Sequence, residues 1–169
     1  ARYFLMTLNF QFEDNMNESR KWARILLADF PNNPNFQKYF GLTFVKENNY
    51  TEAVKTFMDI YNKCRIAMPG YNKRFEREAT YYLGMDFKLK ERVDSAAVYF
   101  EKSEILSREL DKEKESGFLI NTVFYLGMLY DQMGKRDKAI KYYNETLQLR
   151  DRNDSHKFAE QYLKTPFKK

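Results

Sequence analysis

A chain of 169 residues with one cysteine and one histidine has little with which to do covalent or metal chemistry. Cys64 is a candidate nucleophile or thiolate ligand, and His156 a candidate proton carrier or metal ligand. Neither has a second residue of its kind, which excludes an internal disulfide framework and any multi-cysteine zinc or iron–sulfur site. A phosphate-cradling glycine loop, an HExxH pair and a calcium loop are also missing from the sequence. Neither catalysis nor a metal or cofactor is therefore expected, and His156 reads as an ordinary surface or helix-start histidine. A polyanion could be met by Lys63, Arg65, Lys73, Arg74 and Arg77, with Tyr71 and Phe75 between them. Glu76 and Glu78 dilute that cluster, so nucleic acid is not the expected partner.

What remains is recognition by apolar surface, and here the chain is rich: 15 Phe, 13 Tyr and 7 Met, against only 6 Gly and 4 Pro. Such a balance favours long elements and few loops. The positions of the glycines identify those elements. Tyr39-Phe40-Gly41, Tyr82-Leu83-Gly84 and Tyr125-Leu126-Gly127 are three copies of one core, their glycines 43 residues apart. Three residues after each glycine comes an aromatic (Phe44, Phe87, Tyr130), twelve after it an alanine (Ala53, Ala96, Ala139), and sixteen after it Phe57, Phe100 or Tyr143. Cys64 has Ser107 as its counterpart one period on, which reads as small-residue packing. A fainter copy lies upstream, where Thr7, Ser19 and Ala23 replace the glycine, the alanine and the aromatic.

This pattern resembles the tetratricopeptide repeat (TPR), with an apolar–Gly pair and an aromatic on a first helix, then a small residue and an aromatic on a second. The resemblance implies an all-α chain: a TPR-like α–α superhelix, a right-handed solenoid of antiparallel helix pairs closed by a C-terminal capping helix. Two helices pack closely where side chains are small, so Gly41, Ala53 and Phe57, Gly84, Ala96 and Phe100, and Gly127, Ala139 and Tyr143 are expected to form the packing of successive repeats. One domain, 1–169, would hold repeats at about 1–33, 34–70, 71–113 and 114–153 and the cap at 154–165. Helices are predicted near 2–12, 16–29, 35–46, 50–67, 72–89, 93–110, 115–132 and 136–150. The extra length of the later repeats is expected to divide between a second helix and the first helix that follows it.

In this family the first helices line the concave surface, so the resemblance also implies where a partner would lie. Counting from the glycine selects Phe4, Lys38, Tyr81 and Phe124, then Leu8, Leu42, Met85 and Met128. Further along come Gln11 and Phe12, Val45 and Lys46, Lys88 and Leu89, and Asp131 and Gln132. Phe4, Leu8, Leu42, Tyr81, Met85, Phe124 and Met128 would supply apolar contact, and Lys38, Lys46 and Lys88 would orient a peptide or helix of a protein partner. Family members that clamp a C-terminal carboxylate use Lys, Arg and Asn on these helices; the matching places here hold Phe4, Leu8, Tyr39, Glu78 and Tyr82, so the resemblance does not extend to that clamp. The alternative is a regulatory or oligomerisation module of a larger protein whose catalytic or DNA-binding part lies outside this chain, and homo-oligomers are one form that would take.

Net charge is +5, but Lys and Arg are interleaved with Glu and Asp, which reads as a solvated surface. Apolar runs are broken within a few residues, so membrane insertion is not expected. The first residues lack a charged leader followed by a cleavable apolar segment, which favours the cytoplasm over an exported fragment. The Lys-, Asn-, Phe- and Tyr-rich composition points to a bacterial source.

Overall fold

A computed structural model describes residues 1–168; Lys169, the last residue of the predicted 1–169 domain, lies outside them. Among the described residues there are nine helices and no strand: α1 (Arg2–Gln11), α2 (Met16–Asp29), α3 (Pro34–Lys46), α4 (Tyr50–Arg65), α5 (Lys73–Leu89), α6 (Val93–Leu110), α7 (Gly117–Gln132), α8 (Arg136–Thr146) and α9 (Ser155–Lys164). None is long and apolar enough to cross a membrane. The contacts divide into two compact units, Ala1–Tyr82 and Leu83–Lys169, with the boundary inside α5.

In the first unit, three helix starts are set by asparagines and a proline. Asn15, Asn33 and Asn49 each accept a backbone N–H from the first turn of the helix they precede, satisfying donors that a helix cannot satisfy itself. Pro34 occupies the first turn of α3, where its missing N–H costs nothing. The core of the first pair is Met6, Ala23 and Leu26, with Trp22, Phe36, Tyr39 and Phe40 packed against it. Ser19, in the place of the repeat alanine, donates its hydroxyl to the carbonyl of Met6 at 2.9 Å, tying α2 to α1. The degenerate copy makes a reciprocal exchange: Thr7 replaces glycine, and the fully buried Ala23 stands where later repeats carry an aromatic ring.

Each repeat turns from its first helix to its second through one left-handed residue seven positions after the glycine or its substitute: Asp14, Asn48, Glu91 and Gly134, with φ between 48° and 71°. In the last three, the next residue's N–H returns to a carbonyl of the helix (Asn49 to Phe44, Arg92 to Phe87, Lys135 to Tyr130) at 2.8–2.9 Å. This closure uses carbonyls left unpaired at the helix end. Only Gly134 has the residue type that takes this backbone freely, and a Cβ there would meet nothing within 4 Å. Gly134→Ala is therefore expected to cost about 1 kcal/mol, from backbone conformation alone; chemical denaturation would show it as a lower midpoint with unchanged slope.

Three helix ends differ from the predicted ranges by two residues or more. α4 stops at Arg65, because left-handed Ala67 lets Met68 return its N–H to Lys63 O. α7 starts at Gly117, because the Ser116 hydroxyl accepts from Leu119 N and Ser116 is extended. α8 stops at Thr146: Arg150 turns its N–H to Glu115 Oε2, and Asp151 takes the N–H of His156 to open α9. The middle helices are longer, with 16 residues in α4 against 14 in α2 and 17 in α5 against 13 in α3, while α8 has 11. The connections 66–72 and 111–116 also lengthen relative to 30–33, so part of the extra length resides in loops rather than helices.

Candidate partner-binding surface

Within the first unit, α1 and α3 are joined edge to edge by aromatic rings. Tyr39 meets Tyr3 at 6.4 Å and Phe10 at 5.4 Å, both edge-on, and its hydroxyl accepts from Gln11 Nε2. Offset and edge-on contacts of this kind are the favoured ring geometries. On the same face of α1, Phe4 and Leu8 are one turn apart and Phe12 follows at the helix end. Phe4 is 64% exposed, Phe12 76%, and Leu8 half-buried. Leu42 of α3 is half-buried.

The lysines are engaged with neighbouring side chains. Lys38 pairs with Glu78 at 3.3 Å, both side chains largely covered, and its ammonium also lies near the rings of Tyr39 and Phe75. Lys46 pairs with Asp14 at 3.5 Å and stands over the Phe10 ring. In the second unit, Lys88 lies 5.0 Å over the Tyr125 ring. Met85 is half-buried, whereas Tyr81 and Met128 are each only 8% exposed. The structure thus leaves Phe4 uncovered while drawing Tyr81 and Met128 into packing.

The three glycines each face an aromatic ring of the following helix. A Cβ at Gly41 would stand 3.1 Å from Phe57, one at Gly84 2.9 Å from Phe100, and one at Gly127 2.6 Å from Tyr143. Ala53, Ala96 and Ala139 are buried beside them. Phe57 also stacks on Tyr82 at 4.5 Å, and burial, reinforced by Glu78, pushes the Tyr82 hydroxyl up to about 12.

At the end of the second unit Asp131, Tyr143 and Phe124, named from the repeat pattern, meet Arg136 and Phe167, which that pattern does not select. Asp131, its side chain 1% exposed, takes both its oxygens to Arg136 Nη1 at 2.9 Å and also accepts from the Tyr143 hydroxyl and from Phe167 N. Arg136 turns its other nitrogen to the carbonyls of Tyr162 and Leu163, the last turn of α9. Phe124 lies against α9 as well, stacked on Tyr162 at 6.2 Å and 6.5 Å from Phe158. The spacing Asp131 to Arg136 carried no sequence signal, because it joins one helix to the next across a turn.

Cys64 is half-buried; burial first and Glu76 second push its thiol up to about 11, while Sγ donates to Asn72 O. At neutral pH the thiolate is scarce, so alkylation by iodoacetamide at pH 8 should run at least about tenfold slower than for a free thiol of pKa near 8.5 and accelerate as pH approaches 11. Rapid labelling at pH 8 would contradict that environment. Among the described residues, no group of three or more His, Cys, Asp or Glu side chains could hold a metal ion. The basic cluster is divided: Lys63 pairs with Asp59 at 2.7 Å, Arg77 is buried, and Arg65, Lys73 and Arg74 are exposed.

Comparison with known proteins fits this architecture. Residues 121–153, which hold most of α7 and all of α8, match the tetratricopeptide repeat family. No curated protein sequence matches the chain. Among solved structures, MamA is 18% identical, with a TM-score of 0.64, over 89% of this chain and 76% of its own. A Podosopora anserina protein assigned to kinesin light chains, with nearly identical TPR-like repeats, is 12% identical, with a TM-score of 0.68, over 96% of this chain and 82% of its own. Residues 121–153 are a tetratricopeptide repeat, and over nearly its whole length the chain has the fold of tetratricopeptide-repeat proteins.

Proposed function

We propose that the chain is a protein-interaction scaffold that receives a peptide or helix of a partner on its first helices, with the row Phe4, Leu8 and Phe12 of α1 as the principal contact. TPR folds generally serve as protein–protein interaction scaffolds, which sets the class of function. The observation that carries the particular reading is the exposure of Phe4 on α1 and of Phe12 at the C-terminal end of that helix. Large rings aligned and left in water are an unfavourable arrangement that a partner's apolar surface relieves. Leu42 of α3 extends the apolar surface. Lys38 and Lys46, held by Glu78 and Asp14, act as paired groups at its edge rather than as bare cations.

A partner recovered with the full chain, and then purified, provides the test. The double variant Phe4→Ala/Phe12→Ala should weaken its binding at least about tenfold, the loss of one or two apolar contacts. The same change should leave helical content and stability nearly untouched, because both side chains are exposed. Unchanged affinity would overturn this placement of the contact. Arg65→Gln with Arg74→Gln serves as the control, since the basic cluster is not part of the surface.

A further inference from the structure

The helix α9 and the residues after it have an unusual attachment. α9 has 10 residues, too few to be stably helical alone in water. Its start is capped from Asp151, which takes the N–H of His156 and the hydroxyl of Ser155, rather than from the N-cap residue Asp154, and the two residues before it, Asn153 and Asp154, are both left-handed, with φ of 54° and 58°. Asn and Asp tolerate that backbone best among residues with side chains, but two in succession form a strained joint. On the other side stands a built seat: Phe124 of α7 against Phe158 and Tyr162, Tyr143 of α8 at 5.7 Å from Tyr162, Arg136 on the terminal carbonyls of α9, and Asp131 on the N–H of Phe167. Phe124 is one of the first-helix residues that the repeat pattern assigns to partner contact.

We propose that residues 155–168 are a strap, an internal occupant of the seat on α7 and α8, which lifts about Asn153–Asp154 and gives way to a partner helix carrying two aromatic residues four positions apart. This rests on the reading that first helices receive partners, and it names the chemistry of the occupant at α7. The seat recognises two features: rings spaced like Phe158 and Tyr162, the second stacked on Phe124 and the first tilted against it, and a helix C-terminus whose open carbonyls Arg136 can grip. A strained joint makes release cheaper without removing any contact of the seat.

The probe is a fluorescent peptide with the sequence of residues 155–168, added to the full chain. Wild type should bind it weakly, because the seat is filled. The variant Phe158→Ala/Tyr162→Ala keeps the seat and weakens its occupant, so it should bind the peptide at least tenfold more tightly. Failure of that variant to bind the peptide, with its helical circular dichroism intact, overturns the proposal. Should the variant unfold, hydrogen exchange of the wild type decides: α9 amides must exchange faster than those of α7, and equal protection in both overturns the strap. Phe4→Ala/Phe12→Ala should leave peptide binding unchanged, so failure of the α1 contact and failure of the strap are separately visible.

Discussion

Replacing Gly127 with alanine should destabilise the unit Leu83–Lys169 by about 2 kcal/mol, although alanine is the better helix former by nearly 1 kcal/mol. The new Cβ would stand 2.6 Å from Cε1 and 2.8 Å from Cδ1 of Tyr143. That ring cannot retreat, because it is fully buried and its hydroxyl is bonded to Asp131 at 3.0 Å. Either the helices separate or the ring leaves its rotamer, and both lose packing that cores hold at crystal-like density. The three glycines then give an ordering. Gly84→Ala, at 2.9 Å from the Phe100 ring, should cost less, and Gly41→Ala, at 3.1 Å from Phe57, least of all, with its helix-propensity gain offsetting much of the strain. Gly117 is a contrast, since the nearest atoms its Cβ would meet belong to the guanidinium of Arg152, the far end of a flexible side chain. Urea denaturation of the four variants measures the series; equal effects at Gly41 and Gly127 would contradict the close approach inferred for the last repeat.

The largest loss is expected at Asp131. Asp131→Ala leaves the Arg136 guanidinium without its bidentate partner, the Tyr143 hydroxyl without an acceptor and the Phe167 N–H without its carboxylate. Breaking one side of a buried, hydrogen-bonded ion pair costs about 3–5 kcal/mol, mostly from the uncompensated charge left behind. Asp131→Asn, which keeps acceptor oxygen but not charge, should lose roughly half as much. Tyr143 supplies a second readout. Burial first and Asp131 second raise its hydroxyl far above the usual tyrosine value, so it stays protonated through the alkaline range in the folded chain. A group with its folded value raised contributes stability present below its unfolded value near pH 10 and lost as pH climbs beyond it. Alkaline unfolding should therefore begin above pH 10, with the contribution of Asp131 to the Tyr143 shift removed in Asp131→Ala. An Asp131→Ala variant as stable as wild type would show that Arg136 and Tyr143 find other partners.

The reach of the sequence differed between the fold and the contacts. The 43-residue recurrence of glycine, alanine and ring is written in residue types, and helix geometry turns it into meetings such as Gly84 with Phe100. The helix pairs could be placed for that reason, and so could the turns at Asn15 and Asn49, whose side chains cap the next helix. The left-handed residue seven after each glycine was less legible: Asp14 and Asn48 are types that tolerate such a backbone without requiring it, and Glu91 gives no sign of it, unlike Gly134. The surface was harder still. Lys38 and Lys46 lie on first helices as the spacing predicts, but whether a lysine faces a ligand or a neighbour depends on side chains far away in the chain, here Glu78 and Asp14. Phe124 has the same repeat position as the exposed Phe4, yet α9 stacks upon it; identical positions acquire different neighbours at the two ends of a repeat array.

Hydrogen exchange on the full chain, with and without a purified partner, tests the central claim most directly. A scaffold that receives its ligand on the first helices should gain protection along α1 and the following Phe12 and along residues 38–46 of α3, while exposed residues of α6, such as Val98 and Ile105, are unchanged. Protection confined to α4 and α6, with α1 and α3 exchanging as before, would contradict it.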